Sequence, residues 1–323
     1  TIIESMARVV LNICGVKSKG GVTVLNNYLE NNSNLDLFII YDNPDLESLV
    51  TKYENEFIRV PRYFHPFLNF FINKTTKQKI NNYENIIHFG NLAFKTKLKT
   101  FTFIQNILPL VAPTNSLRNL FLRIFYSYSF KISDEIIVQQ EHVAKLIPNT
   151  SEVNIIGKIN YYDIEQSNKS DFIIILENIK NKNPKFTLDL IIELSKLDYI
   201  INVIDSENYL QKLNNINLSS KNINLYNDIS YSQLQNLFRQ NNTYIHSSEY
   251  ETVGLPIYEA LSNGLNVVMP DREYFQLNTQ NVFKYKLNNL ESAVTACKNS
   301  TTKQQSKILN VPIYHEDWNL NFQ

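Results

Sequence analysis

The sequence predicts an α/β protein built from two doubly wound, parallel-sheet domains. Its 323 residues suit two domains of about 100–200 residues each. Short apolar runs alternate with segments of helical spacing, and this alternation starts afresh near residue 160. Alternation of this kind favours a sheet with helices on both faces. We therefore expect two Rossmann-like domains, residues 1–160 and 161–323, which face each other across a ligand-binding cleft.

The first series begins with β-branched apolar runs, which are typical of buried parallel strands. The loop GVKSKGG follows the first of these strands, and residues 22–31 then have helical spacing, as do residues 117–130 and 140–147. The predicted strands of this half are 8–14, 36–41, 86–89, 101–105 and 135–139.

A polar connection leads from residue 153 to a second series with the same order of elements. Its predicted strands are 172–176, 199–204, 222–226, 243–246 and 265–269. Its predicted helices are 185–197, 207–215, 232–240 and 256–263.

The composition excludes several classes of protein. Apolar residues make up 43% and charged residues 19% of the chain, so enough apolar surface can be buried to exclude wholesale disorder. We find no apolar run of the roughly 18 residues that span a bilayer, and no secretory pattern at the start. The two cysteines are far apart and fit a reducing cytosol. No metal-ligand pattern, P-loop, G-x-G-x-x-G or G-x-S-x-G occurs, so we expect no metal and no cofactor.

Charge is balanced over the whole chain but not along it. Residues 59–131 contain eleven basic residues and one acidic residue, beside clusters of Phe and Tyr. A basic face beside aromatic side chains suits an anionic membrane surface or a lipid-diphosphate. The alternative is a basic face above an ordinary aromatic core. Nucleic acid is not expected as a partner, because no nucleic-acid-binding motif accompanies the charge.

The segment with the clearest chemistry is SSEYETVGLPIYEA, residues 247–260, which leads from a strand end into a helix. Gly254 permits close backbone approach before that helix, and Pro256 suits a helix start. The free amides of a helix start favour anions. Glu251 and Glu259 bracket them, and a carboxylate can accept both hydroxyls of a diol. The alternative is a capped helix with solvent-facing glutamates, but the whole string favours a site for a sugar nucleotide.

This string resembles the signature of glycosyltransferase family 4, whose members are retaining enzymes with the GT-B fold. Residues 222–238 resemble the segment that reads the nucleotide base in that family, through the backbone around Asn227 and Ile229. Lys182 resembles its diphosphate lysine. Residues 19–22 resemble its glycine loop. The segments 88–91, 104–106 and 136–139 resemble bacterial members that build O-antigen or capsule polysaccharide.

The resemblance implies a metal-independent, retaining hexosyltransferase that uses a nucleotide-diphosphate sugar. The acceptor is expected to be a glycan or lipid-linked glycan bound by residues 1–160, with donor binding by residues 161–323. The cysteine usage and the basic, aromatic stretch predict a cytoplasmic protein, peripheral on the inner face of the membrane. Glu251 and His88 are the expected catalytic residues, although a structural role for His88 is an equal alternative. The expected donor-binding residues are Glu259, Gly254, Leu255, Thr252, Val253, Lys182, Gly20, Gly21, Asn227 and Ile229.

The sequence departs from the family pattern in two places. Glu177 stands where the family often has a phosphate-binding arginine, and Gln105 and Asn106 stand where many members have a histidine. These departures motivate an alternative function, that of a non-catalytic GT-B relative acting as a binding or partner subunit.

Overall fold

The computed structural model describes most of the chain, including both predicted domains. The described residues are 7–33, 35–53, 56–61, 74–111, 117–149, 151–156, 170–206, 209–212, 222–275 and 279–302. They fall into two compact units that divide between residues 159 and 160.

The first unit contains a seven-stranded parallel sheet. Its strands, in chain order, are β1 (Arg8–Asn12), β2 (Asp36–Tyr41), β3 (Glu56–Arg59), β4 (Asn85–His88), β5 (Lys99–Phe103), β6 (Glu135–Val138) and β7 (Glu152–Ile155). The spatial order is β3-β2-β1-β4-β5-β6-β7, and every described pairing is parallel. The direction of winding therefore reverses between β1 and β4, where ligands bind in doubly wound sheets.

Helices accompany this sheet, together with a 3-10 turn at Pro44–Leu46. The helix that matters most below is α5, whose inner face packs on β5 and β6 through Tyr126 and Phe130. The described helices are α1 (Lys19–Asn31), α2 (Glu47–Lys52), α3 (Lys74–Ile80), α4 (Leu108–Val111), α5 (Leu117–Ile132) and α6 (Glu141–Ala144).

The second unit repeats the pattern with six parallel strands. These are β8 (Ser170–Leu176), β9 (Ile201–Asp205), β10 (Ile223–Asn227), β11 (Asn241–Ile245), β12 (Asn266–Pro270) and β13 (Val282–Tyr285). The spatial order is β10-β9-β8-β11-β12-β13, with parallel pairing in each described contact. The winding reverses between β8 and β11.

The helices of the second unit follow the strands in alternation, after a 3-10 turn at Lys180–Lys182. They are α7 (Pro184–Ser195), α8 (Tyr209–Lys212), α9 (Tyr231–Arg239), α10 (Leu255–Ser262) and α11 (Leu290–Thr302). Phe172, Leu190 and Val268 belong to a core that β8, β12 and α7 share with α11. The predicted architecture of two Rossmann-like α/β domains is confirmed.

Several local predictions were wrong. The helix after β1 begins at Lys19, three residues early, because the Ser18 hydroxyl caps it by accepting from the Gly21 N–H at 3.0 Å. Strands β3, β7 and β13 were not predicted, and β7 lies in the stretch that we read as a polar connection. Part of the predicted helix at 207–215 lies outside the described residues.

Candidate functional site

The candidate site lies in the second unit, where β11 leads through residues 246–254 into α10. Strand β11 pairs with β8 at the point where the winding reverses. Loops that leave the carboxyl ends of such strands are the usual ligand-binding elements of this sheet type. The loop and helix start therefore occupy the expected position for a site.

Gly254 shapes the start of α10. Its φ is 74°, in the left-handed region that favours glycine, and its carbonyl accepts the Ile257 N–H at 2.9 Å. A Cβ at this position would lie 3.0 Å from Cδ1 of Ile257. Leu255 then opens the helix, so Pro256 is its second residue. Pro256 has no N–H and the Ile257 N–H is already bonded, so the attraction of this helix start for anions comes mainly from the positive end of the helix dipole.

Glu251, in the loop, forms an ion pair with Lys182 of the preceding 3-10 turn. Glu251 Oε1 lies 2.6 Å from Lys182 Nζ, and Oε2 of Glu177 lies 3.6 Å from the same nitrogen. Burial is the largest single effect and would raise the pKa of Glu251, but the Lys182 ammonium and His246 together outweigh burial and hold that pKa well below its ordinary value. Lys182 and the two glutamates together carry one net negative charge.

Hydrogen bonds join the turn that carries Lys182 to the loop that carries Glu251. The Asn181 carbonyl accepts the Glu249 N–H at 2.7 Å, and the Asn181 amide donates to the Tyr250 carbonyl at 3.2 Å. The Ser247 hydroxyl donates to the Lys182 carbonyl at 3.0 Å. Most of these bonds use backbone groups, so they fix the turn against the loop and keep Lys182 near Glu251.

His246 lies beneath this ion pair and is 3% exposed. Its Nδ1 is 3.0 Å from the Tyr244 hydroxyl. Its Nε2 is 3.4 Å from Glu251 Oε1, a close contact without hydrogen-bond geometry. Burial is the largest effect on the pKa of His246 and lowers it, so the ring is neutral at pH 7. Sequence analysis had given His246 no role, since its side chain meets Glu251 only through the fold.

Glu259 lies in α10 and is 6% exposed. Burial raises the pKa of its carboxyl to about 7, against the opposing effect of a hydrogen bond from Tyr231. The Tyr231 hydroxyl donates to Glu259 Oε1 at 3.2 Å, although the Tyr231 side chain is 56% exposed. Glu259 therefore has a tyrosine hydroxyl beside a carboxyl that titrates near neutral pH.

Tyr231 belongs to the segment predicted to read the base, residues 222–238, and brings that segment into contact with Glu259. Within the segment, β10 ends at the exposed Asn227, and the chain continues through Asp228, whose φ is 48°, to Ile229. Ser230 then begins α9 with a reciprocal capping box. The structure thus brings residues 227–231 to the helix that carries Glu259. The sequence does not predict the contact between Tyr231 and Glu259, because a contact across 28 residues leaves no local pattern.

The predicted site residues of the first unit are Gly20, Gly21 and His88, and Gly21 and His88 make contacts within that unit. Gly20 and Gly21 lie in the first turn of α1, not in the predicted loop, and the Gly21 N–H donates to Ser18. A Cβ at Gly21 would lie 2.8 Å from Gln105 Oε1, so this glycine permits close packing of Gln105.

His88 ends β4 and is completely buried. Its Nδ1 is 2.9 Å from the Asn12 amide nitrogen, and its ring packs edge-on to Phe94 at 4.7 Å. These surroundings are those of a structural histidine, the alternative that the sequence left open. Its catalytic role stays a prediction.

Thr252 and Val253 lie in the loop between Glu251 and Gly254, and Leu255 is the first residue of α10, one residue before the predicted helix start. Their role in donor binding stays a prediction. Within the described parts of the chain, no group of three or more His, Cys, Asp or Glu side chains is arranged to hold a metal ion. Over the same residues, no helix has both the length and the apolar character needed to cross a membrane. Several members of the basic and aromatic stretch, residues 62–73, lie outside the described residues.

One protein-family model matches most of the second unit. Residues 162–278 match the family model described as glycosyl transferases group 1. The matched range contains all three acidic residues discussed above, Glu177, Glu251 and Glu259. Among curated proteins, none matches the sequence of the chain.

The whole chain is similar in fold to solved structures of low sequence identity. Sucrose-phosphate synthase from Thermosynechococcus elongatus has a TM-score of 0.70 at 11% identity, over 91% of this chain and 89% of that one. Anabaena HepE with UDP and glucose has a TM-score of 0.68 at 11% identity, over 92% and 90%. The pneumococcal O-GlcNAc transferase GtfA with UDP and GlcNAc has a TM-score of 0.65 at 12% identity, over 94% and 92%. The fold is the GT-B fold, and the matched domain and the fold together support a glycosyltransferase.

Proposed function

We propose that the chain transfers a sugar from a nucleotide-diphosphate sugar to a hydroxyl group of a glycan or lipid-linked glycan. The observation that carries the proposal is the arrangement around the start of α10. Glu251 with Lys182 lies on one side of Gly254, and Glu259 with Tyr231 follows it in the helix. The Lys182 ammonium and the positive end of α10 suit a diphosphate, and the two carboxylates suit diols, which matches the three parts of the donor.

Each residue has a distinct role in this proposal. Lys182 and the backbone of residues 252–255 bind the diphosphate. Glu251 accepts hydrogen bonds from the sugar hydroxyls, and Glu259 accepts them from the ribose diol. Asn227 and Ile229 contact the base through their backbone. The first unit binds the acceptor in this proposal, and the second unit binds the donor.

The proposed reaction is a substitution at the anomeric carbon. The bond from that carbon to the diphosphate oxygen breaks, and the acceptor oxygen forms the new bond from the same face. The hydroxyl proton passes to the leaving diphosphate, and a nucleoside diphosphate is released. The protein contributes charge stabilisation and orientation, without a metal ion. Retention of configuration and family 4 membership are part of the proposal.

The HepE and GtfA structures are complexes with UDP, so UDP is the first nucleotide to test. Calorimetry should show binding of UDP or of another nucleoside diphosphate. The E259Q variant should weaken that binding about tenfold or more at pH 8, since hydrogen bonds to a charged group contribute about 1.5–3 kcal/mol. The E193Q variant is the control, because Glu193 pairs with Lys196 on the surface of α7.

Turnover separates the role of Glu251 from that of Glu259. We expect E251Q to lower kcat about a hundredfold with a smaller change in the donor KM, because it removes a charged group that orients the reacting sugar. Equal and small effects of E251Q and E259Q would contradict these roles. Product configuration by NMR tests retention, and full activity in EDTA tests metal independence.

A non-catalytic role is the second candidate. The observation that favours it is Glu177, whose carboxylate lies 3.6 Å from Lys182 where a phosphate-binding cation would assist a donor. A binding subunit of this kind would bind a glycan or a partner and no nucleoside diphosphate. Calorimetry with UDP, GDP, ADP, CDP and dTDP separates the two candidates. If the chain binds none of these nucleotides, the non-catalytic role is supported.

We further propose a cytoplasmic site of action at the inner face of the membrane, in the synthesis of a bacterial surface polysaccharide. This part of the proposal depends on the expected lipid-linked acceptor. Activity on lipid-linked acceptors in vesicles, compared with free glycans, tests it: a preference for free glycans would contradict it.

A further inference from the structure

Helix α5 of the first unit presents a row of large apolar side chains to solvent. These are Leu117 (76% exposed), Leu120 (46%), Phe121 (59%), Ile124 (56%) and Tyr128 (46%). Their spacings of three, one, three and four residues place them on one face of the helix. Among the described residues, eleven large apolar side chains are exposed, and five of them lie on this one helix. Such clustering marks an interaction surface, whereas single exposed apolar residues do not.

The other face of α5 already holds the helix in place. Tyr126 and Phe130 are buried in the core, and the Tyr126 hydroxyl donates to the Asn106 carbonyl at 2.8 Å. The Ser129 hydroxyl accepts the Ala93 N–H at 2.9 Å, and Arg123 Nε donates to the Pro109 carbonyl at 2.7 Å. The exposed row is therefore not needed to fix the helix on the sheet.

The charged residues of α5 itself are of one sign. The sequence of α5 contains Arg118, Arg123 and Lys131 and no acidic residue. Lys131 is exposed and follows Ile124 by seven residues, which places it on the face of the apolar row. The chain has equal numbers of basic and acidic residues overall, so this positive region is a local segregation of charge.

We infer that the outer face of α5 docks on an anionic lipid bilayer, with the helix lying flat in the headgroup region. A 16-residue helix is about 24 Å long at 1.5 Å per residue, too short to span a bilayer but suited to lying along its surface. Apolar and aromatic side chains enter the acyl boundary while lysines contact the headgroup phosphates. The inference rests on α5 alone and does not depend on the proposed transferase activity.

Vesicle sedimentation of the full chain tests this inference. The vesicles contain phosphatidylglycerol and phosphatidylethanolamine at 3:7, with pure phosphatidylcholine for comparison. We expect binding to the anionic vesicles, and at least tenfold weaker binding for the F121S/I124S variant. The matched control is L197S/I200S, which replaces two exposed apolar residues of the second unit and should bind like the wild type.

Salt and oligomeric state complete the test. Binding that falls in 0.5 M NaCl supports the contribution of lysines. Equal binding by F121S/I124S and the wild type, or no binding by either, would overturn the inference. So would a wild-type dimer in light scattering that F121S/I124S dissociates, because the row would then be the contact between two copies. An unchanged Tm for F121S/I124S shows that the variant is folded.

Discussion

Replacing Glu259 by glutamine should remove the contribution of this carboxyl to the pH dependence of the free energy of unfolding of the ligand-free protein. Burial raises the pKa of Glu259 from its ordinary 4.5 to about 7. The folded state therefore binds this proton more tightly than the unfolded state. The stabilisation is fully present below pH 4.5 and is lost as the pH rises through about 7. At 1.36 kcal/mol for each pKa unit, the loss amounts to about 3 kcal/mol.

Glutamine has nearly the same shape and can still accept the Tyr231 hydrogen bond, but it does not titrate. The free energy of unfolding of E259Q minus that of the wild type should therefore increase by about 3 kcal/mol between pH 4.5 and pH 8. Urea denaturation of both proteins across that range measures the difference, and all other titrating groups cancel in it. A difference that stays constant with pH would refute the reasoning, as would the same pH-dependent gain in E193Q.

Three further predictions follow from neighbouring contacts. Y231F removes the hydroxyl that stabilises the charged form of Glu259, so the pH midpoint of nucleotide binding should rise above that of the wild type; an unchanged or lower midpoint would contradict the contact. E177Q removes one of two carboxylates beside Lys182. Calorimetry at low salt should therefore show about three- to tenfold tighter binding of a nucleoside diphosphate, and weaker binding would argue against a diphosphate at Lys182. G254A should lower the free energy of unfolding by about 1–2 kcal/mol because φ is 74°; G254N should lose less, because asparagine tolerates that φ, and equal losses would assign the cost to crowding instead.

The central strands could be predicted because they are buried on both faces and are therefore continuous apolar runs. Strand β8, residues 170–176, contains FIIIL and is an example. Strands β3 and β13 lie at sheet edges and carry the partly exposed sequences EFIR and VFKY. With few buried positions, these strands have no distinct apolar pattern.

The site was predicted in part for a similar reason. Glu251, Gly254 and Glu259 belong to one continuous string, so their spacing is visible in the sequence. The partners of these residues come from elsewhere in the chain. Lys182 reaches Glu251 across 69 residues and Tyr231 reaches Glu259 across 28, and only the sheet order brings them together. Likewise, the sequence predicted the helical spacing of α5 without indicating which of its aromatic residues are buried.

The hydrogen bonds that join Asn181 and Lys182 to residues 247–250 also bear on the thermodynamics of ligand binding. Because the fold itself holds Lys182 beside Glu251, the loss of conformational entropy for this part of the chain occurs when the protein folds, and a ligand need not order it again. Binding of a nucleotide here should proceed with little rearrangement of the backbone. Under the proposed function, the selection between donors would then depend on how well each donor fits a rigid shape, and less on how readily the loops adapt to it.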